Sequence, residues 1–295
     1  MSQLGLALGS GGARGWCHIG VIRSLQRQGV EPMAVAGCSM GAMVGAAWAA
    51  GKLDALEKLA LEFTQSQLFS LMDPHLDRGG VLSGKGVETL LSELDLPERI
   101  EDLPKPFMAV ATDMATGREI WLMDGPLIPA VQASVAIPGI FSPVQLQGRW
   151  LIDGGLINPV PVSAARALGA RSILGVNPSG RGGKPIWQAN EPDSLLSRIG
   201  LEGVRDQLPE ALEKLLPEPN TEMRGPSYAE VINAAMDVLT DFVRSTRIAA
   251  DPPDVMLNAD LKEIKAGELY RAQAAITEGT RICDAAEDQI ARSLF

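Results

Sequence analysis

Cysteine and positive charge are both scarce in this chain. Cys17, Cys38 and Cys283 have neither the number nor the spacing of a disulfide framework or a metal site, so we expect free thiols in a reducing compartment and no bound metal. Lys and Arg total 26 against 36 Asp and Glu, which gives a formal charge of −10. This balance argues against a nucleic-acid partner, and it offers no electrostatic attraction to an anionic lipid surface.

Long hydrophobic runs are missing as well. The most apolar stretch, Gly41–Gly51, is too short to cross a hydrocarbon layer of about 30 Å. No basic segment of a secretory leader precedes the apolar run Leu4–Leu8. We therefore expect a cytoplasmic protein, and 295 residues are enough for one large α/β domain spanning positions 1–295.

Histidine is also scarce, because only His18 and His75 occur. An α/β-hydrolase triad needs serine, acid and histidine in that chain order, so no histidine is available for the last position. His18 lies among apolar residues at helical spacing, which predicts a packed, hydrogen-bonded structural histidine. His75, beside Pro74, is predicted to be an exposed loop residue.

Strand and helix patterns alternate along the first part of the chain. The apolar runs Leu4–Leu8 and Met33–Gly37 are predicted strands, and His18–Gln28 and Met40–Ala50 are predicted helices. This rhythm indicates a parallel sheet with helical crossovers. Later strands are predicted at Phe107–Thr112, Glu119–Leu122, Ser172–Val176 and Val255–Leu257, and later helices at Gly84–Leu94, Pro161–Leu168, Tyr228–Ala249 and Glu268–Ser293.

The stretch 178–230 interrupts this rhythm between a core at 4–176 and C-terminal elements at 228–295. It is rich in Pro, Gly and charge, and we interpret it as an excursion from the core. Within it, Leu195–Leu216 has the spacing of an amphipathic helix. Three uses stay open: covering a site, a transient contact with a membrane surface, or packing on its own domain or on a second copy in a homo-oligomer.

The sequence Gly37-Cys38-Ser39-Met40-Gly41 matches Gly-x-Ser-x-Gly between a predicted strand and a predicted helix. In this context Ser39 is the candidate nucleophile, held on a strained strand-to-helix turn. Glycine is favoured at Gly37 and Gly41 because the chain is crowded on both sides of the serine. The helix that begins near Met40 directs free N–H groups towards developing negative charge.

The glycine-rich loop after the first strand allows two interpretations. A dinucleotide phosphate loop would need Gly-x-Gly-x-x-Gly, and Arg14 or Ser10 breaks that spacing in either register. An oxyanion hole would instead use the N–H groups of Gly11, Gly12 and Ala13, with the Met40 N–H as a further donor. Arg14 is then either an anchor of the loop or a group that assists substrate charge.

With no late histidine, Asp153 is the best remaining general base. The sequence Asp153-Gly154-Gly155 follows the run 149–152, and its glycines permit a close backbone approach to another element. An aspartate is a weak base in water, so it needs a dry site to accept a proton from serine.

Four ordered motifs together resemble the patatin-like phospholipase family. They are the glycine loop Ser10-Gly11-Gly12-Ala13-Arg14-Gly15, the elbow 37–41, the block Ala133-Ser134-Val135-Ala136-Ile137-Pro138-Gly139-Ile140-Phe141-Ser142-Pro143, and Asp153-Gly154-Gly155. Asn158-Pro159-Val160-Pro161 and Asp251-Pro252-Pro253-Asp254 are similar to the bacterial neuropathy-target-esterase type. One departure is Ser10, where many members have glycine.

The resemblance implies a three-layer α/β/α sandwich over a mainly parallel sheet, a Ser39–Asp153 dyad and no cofactor or metal. We therefore expect a serine acyl hydrolase of the lipase, lysophospholipase or phospholipase kind that acts on acyl esters of lipids. The alternative is a regulatory or binding module that keeps the fold with little turnover, because a fold does not fix a function.

Overall fold

A mixed eight-stranded β-sheet lies at the centre of the computed structural model, which describes residues 3–70, 84–180 and 228–294. The strands are β1 Leu4–Leu8, β2 Ala34–Cys38, β3 Phe107–Asp113, β4 Glu119–Leu122, β5 Val144–Leu146, β6 Arg149–Asp153, β7 Ser172–Asn177 and β8 Val255–Asn258. Hydrogen-bonded pairs link them as β5-β6-β3-β2-β1-β7-β8, and β4 also pairs with β3. Strands β3, β2, β1, β7 and β8 pair in parallel, whereas β4, β5 and β6 add antiparallel pairs.

Helices cover both faces of this sheet, which makes a three-layer α/β/α sandwich. The described helices are α1 Cys17–Arg27, α2 Met40–Ala49, α3 Leu53–Glu62, α4 Gln65–Ser70, α5 Lys85–Ser92, α6 Leu127–Ser134, α7 Val162–Ala167, α8 Tyr228–Ala250, α9 Ala272–Asp284 and α10 Glu287–Ser293. Helices α1, α2 and α9 pack with the larger core on one face, and α7 covers the other face. Among the described residues, no helix combines the length and apolarity needed to cross a bilayer.

Side-chain alternation along β1 shows why the sheet has two cores. Leu4, Leu6 and Leu8 belong to the larger core, whereas Ala7 belongs to the smaller core beneath α7. All residues of β1 are buried, as expected for a strand in the middle of a parallel sheet with helices on both sides. Helix α2 is buried on every side, which explains its nearly continuous apolar sequence.

Helices α1 and α9 approach so closely that glycine is required at their contact. A Cβ atom on Gly20 would lie 1.9 Å from the carbonyl oxygen of Ile276, and one on Gly279 would lie 1.9 Å from that of Cys17. Helix α9 is thereby fixed against α1, the helix that follows the glycine loop.

Strand β3 brings the ends of β2 and β6 together. β2 pairs with Phe107–Val110, and β6 pairs with Ala111–Asp113. β4 pairs with residues 109–112, overlapping both of these stretches, so it must occupy the opposite edge of β3. β2 and β6 therefore share one edge and meet end to end, with Cys38 opposite Val110 and Asp153 opposite Ala111.

The predicted sandwich is confirmed, and each predicted strand is present to within a residue or two. The β5–β6 hairpin was not predicted, although its two-residue turn, Gln147-Gly148, has φ values of 51° and 75°. Helices α3, α4 and α6 were also not predicted. The predicted final helix Glu268–Ser293 is wrong as one element, because Leu269–Arg271 is a 3₁₀ turn and the chain breaks again at Ala285-Ala286 between α9 and α10.

Two sequence-based expectations fall outside the described residues. Most of the predicted excursion 178–230, including the amphipathic stretch Leu195–Leu216, lies between 181 and 227. His75 lies between 71 and 83.

Candidate active site

Ser39 occupies a strained turn between β2 and α2. Its φ and ψ are 55° and −123°, a backbone conformation that non-glycine residues rarely adopt. A Cβ on Gly37 would lie 2.3 Å from the Gly41 carbonyl oxygen, and one on Gly41 would lie 2.1 Å from the Leu8 carbonyl oxygen. Glycine is thus required at both positions, in part because α2 starts directly against the end of β1.

The glycine loop lies beside this turn and is fastened by its own backbone. The Gly9 N–H donates to Val176 O at 2.9 Å, and the Ser10 N–H donates to Pro159 O at 2.8 Å. Within the described part of the chain, no backbone hydrogen bond uses the N–H groups of Gly11 or Gly12. These two donors remain available to a ligand.

The expectation that Ala13 supplies a third donor is wrong in this structure. Its N–H donates to the carbonyl oxygen of Ala266 at 2.7 Å. The same carbonyl oxygen would lie 2.4 Å from a Cβ on Gly12, whose φ is 55°. The segment before α9 therefore packs on the loop and takes up the Ala13 N–H.

Arg14 and Met40 complete the predicted oxyanion group. The Arg14 Nε donates to the carbonyl oxygen of Gly11 at 3.2 Å, which fits the role of a loop anchor. Met40 is the first residue of α2, and the first N–H groups of a helix have no partner within the helix. The Ser39 N–H, by contrast, donates to Ser134 Oγ at 2.9 Å.

The Asp153 carboxylate is buried next to the elbow, with the residue 5% exposed. Oδ1 accepts the Gly155 N–H at 2.6 Å and lies 4.0 Å from the Cys38 thiol, which donates to it. Burial raises the pKa of Asp153 from 3.8 to about 6, although its interactions with the Ser39 hydroxyl and the Gly155 N–H lower it. The structure therefore places beside Ser39 a carboxylate that is more basic than one in water.

The backbone of Asp153 is held from two sides. Its N–H donates to Ala136 O, and its carbonyl oxygen accepts the Thr112 hydroxyl, both at 2.9 Å. A Cβ on Gly154 would lie 2.2 Å from the Val110 carbonyl oxygen, so this glycine permits the predicted close approach.

His18 is a fully buried residue, in agreement with the predicted structural role. Its Nε2 bonds to the Gly9 carbonyl oxygen at 2.8 Å, and its Nδ1 has no hydrogen-bond partner in the described structure. Burial lowers the pKa of His18 to about 4, against a raising contribution from the Gly9 bond. The imidazole is therefore neutral at pH 7 and tied to the start of the glycine loop.

Three residues that sequence reasoning did not single out contact the site. Ser134 and Thr112 hold the backbones of Ser39 and Asp153, and the Cys38 thiol stays protonated because burial and the Asp153 charge raise its pKa well above the ordinary value. Ser134 belongs to the block 133–143, but no local pattern shows which backbone its hydroxyl contacts. Among the described residues, no group of three His, Cys, Asp or Glu side chains is placed to hold a metal ion.

Comparison with known families places the chain in one of them. The family model described as patatin-like phospholipase matches residues 6–166, more than half of the chain, so the protein belongs to the patatin-like phospholipase family. This membership supports a lipid acyl hydrolase activity in general terms.

The curated relatives include a protein of the neuropathy-target-esterase (NTE) family. An uncharacterized NTE family protein of Mycobacterium bovis is 40% identical over 65% of this chain and 53% of its own length. The human patatin-like phospholipase domain-containing protein 6 is 31% identical over 60% of this chain and 13% of its own length. The chain thus spans about half of the first relative and a small part of the second.

Among solved structures, the chain is similar to VipD from Legionella pneumophila. That alignment covers 98% of this chain and 67% of VipD, with a TM-score of 0.45 and 15% sequence identity.

Replacing Asp153 with Asn should change the pH dependence of stability. The folded-state pKa lies above the unfolded-state value, so the stability linked to this group is present below about pH 4 and is lost as the pH rises through 6. Asn does not ionise, so the Asp153→Asn variant does not lose this stability as the pH rises. At about 1.4 kcal/mol per pKa unit, its free energy of unfolding should exceed that of the parent by up to about 3 kcal/mol at pH 8. The difference should shrink towards pH 4.

Chemical denaturation of both proteins at several pH values measures this difference. Asp288→Asn, at an exposed aspartate on α10, is the matched control and should show little change at any pH. A difference between Asp153→Asn and the parent that does not depend on pH would contradict the raised pKa.

Proposed function

We propose that the protein is a serine acyl hydrolase that cleaves acyl esters of lipids through Ser39 and Asp153. The observation that carries this proposal is a serine with φ of 55° beside a buried carboxylate whose pKa is raised to about 6. Two N–H groups of the glycine loop, those of Gly11 and Gly12, make no backbone hydrogen bond within the described residues and supply the third requirement of acyl transfer. Membership of a lipid hydrolase family makes a lipid ester the favoured substrate class.

Acylation follows from the positions of these groups. The Ser39 hydroxyl oxygen attacks the ester carbonyl carbon, and its proton moves to the Asp153 carboxylate. The carbonyl oxygen becomes an oxyanion, which the N–H groups of Gly11, Gly12 and Met40 stabilise. When the intermediate collapses, the bond to the leaving alcohol breaks and Asp153 returns the proton to that alcohol.

Deacylation repeats these steps with water. Asp153 accepts a proton from water, the resulting hydroxide attacks the acyl-enzyme, and Ser39 is released with its proton restored. The fatty acid is the second product. A phospholipid, a lysophospholipid or a related acyl ester fits this scheme, and a membrane surface is one place where such substrates are met.

Two features weigh against the alternatives. A regulatory module with little turnover would not need a strained serine beside a basic carboxylate, because both conditions carry a free-energy cost. A phosphate-binding loop would need a row of free N–H groups, whereas those of Gly9, Ser10 and Ala13 are already bonded.

Ser39→Ala should abolish ester hydrolysis and covalent labelling by a fluorophosphonate probe, because it removes the attacking oxygen and leaves the backbone intact. The purified parent and variant are compared on soluble p-nitrophenyl esters and on a lysophospholipid. Ser172→Ala, at the opposite end of the sheet, is the matched control and should keep the parent rate. Parent-like turnover by Ser39→Ala would disprove the nucleophile, and absence of turnover in the parent would favour the regulatory alternative.

The pH dependence of kcat/KM should identify the base. A carboxylate must be ionised to accept the serine proton, so the rate on a neutral ester should fall about tenfold per pH unit below 6 and level off above 7. A base at His18 would instead move the midpoint to about 4. Measurement from pH 4 to pH 9 separates the two, and a midpoint near 4 would reject Asp153.

A further inference from the structure

The edge of β3 has a break at the candidate active site. The pairing of β2 with β3 ends at Val110, which lies opposite Cys38. The next residue of β3, Ala111, lies opposite Asp153, the last residue of β6. At the break the chain turns away at Ser39, so the Ser39 N–H and the Val110 carbonyl lose the strand partners that a continued ladder would provide. Both groups are buried, and buried backbone groups without partners are costly.

The hydroxyl of Ser134, the last residue of α6, lies in this break. It donates its one proton to the Val110 carbonyl oxygen at 2.7 Å and accepts the Ser39 N–H at 2.9 Å. Ser134 is fully buried, so water cannot substitute for either bond without repacking. The hydroxyl thus bridges the two backbone groups that would bond to each other if the pairing of β2 with β3 continued to Ser39.

The same end of α6 also contacts the second member of the dyad. Two residues after Ser134, the carbonyl oxygen of Ala136 accepts the Asp153 N–H at 2.9 Å. The segment Ser134–Ala136 is therefore hydrogen-bonded to the backbones of both Ser39 and Asp153. These two residues are 114 positions apart in sequence, so their relative position depends on tertiary contacts such as these hydrogen bonds.

We propose that Ser134 is a positioning residue for the nucleophile. Its hydroxyl bonds to both the Ser39 N–H and the Val110 carbonyl, and so fixes the backbone of Ser39 relative to β3. The end of α6 is bonded to Asp153 as well, so it sets the distance between the Ser39 and Asp153 side chains. The proposal rests on the proposed function, in which Ser39 transfers its proton to Asp153. It has a second consequence: the Ser39 N–H points towards α6, so the oxyanion depends on Gly11, Gly12 and Met40.

Ser134→Ala tests this role against a matched control, Ser142→Ala. Ser142 belongs to the segment that follows α6, and its buried hydroxyl has no hydrogen-bond partner in the described structure. Both variants lose one buried hydroxyl from the same region. Ser134→Ala should lower kcat and the rate of fluorophosphonate labelling roughly 10- to 100-fold, with KM changed less than about twofold, because a displaced nucleophile loses near-attack geometry. Ser142→Ala should match the parent.

Amide hydrogen exchange measured by NMR gives a readout that does not depend on turnover. The Ser39 amide should exchange faster in Ser134→Ala than in Ser142→Ala, whereas the Asp153 amide, bonded to a backbone carbonyl, should keep its protection in both. Ser134→Thr retains a hydroxyl and should recover most of the labelling rate. Ser134→Cys fills the space with a weak hydrogen-bonding group and should fall between Ser134→Thr and Ser134→Ala, which keeps the test available if the alanine variant folds poorly.

The outcomes separate this proposal from the proposed function. Unchanged Ser39 exchange in Ser134→Ala, or an unchanged labelling rate despite faster exchange, would overturn the positioning role. A parent protein that neither labels nor hydrolyses esters would refute the proposed function and with it the catalytic part of this proposal. The exchange comparison would still decide whether the Ser134 hydroxyl holds the elbow.

Discussion

The end-to-end meeting of β2 and β6 along one edge of β3 is the constraint on which the site depends. Because β2 runs parallel to β3 and β6 runs antiparallel, their chain ends point at each other, and Ser39 and Asp153 are the residues at those ends. This meeting brings Gly154 against the Val110 carbonyl, where a Cβ atom has no room. On the other side of the elbow α2 starts against the end of β1, so Gly41 has no room for a Cβ atom either.

Burial at this junction gives the aspartate its chemical character. A carboxylate in water has too low a pKa to be a good base, and removal from water corrects this at the expense of stability. Two neighbours, the Ser39 hydroxyl and the Gly155 N–H, supply hydrogen bonds that favour the charged form of Asp153. The resulting pKa of about 6 leaves the group mostly ionised at neutral pH while making it far more basic than an exposed aspartate.

The parallel half of the sheet and the elbow could be predicted from the sequence, because short apolar runs, glycine spacing and helical periodicity are local signals. The β5–β6 hairpin could have been found from its Gln147-Gly148 turn, but the placement of β6 end to end with β2 on the same edge of β3 is a tertiary property. The capture of the Ala13 N–H by Ala266 joins positions 253 residues apart, and no local pattern reports it. Ser134 was visible only as a motif residue, because its role depends on a break in strand pairing that the sequence does not display.

The central claim is that a carboxylate, without an imidazole, activates Ser39. The most direct measurement compares the fluorophosphonate labelling rates of folded Asp153→Asn and His18→Asn at pH 7.5. Each rate is expressed per site that is labelled when the reaction is complete. The account predicts a loss of roughly 10²- to 10⁴-fold for Asp153→Asn and a rate near that of the parent for His18→Asn. A collapse of labelling in folded His18→Asn, together with a parent-like rate in Asp153→Asn, would contradict it.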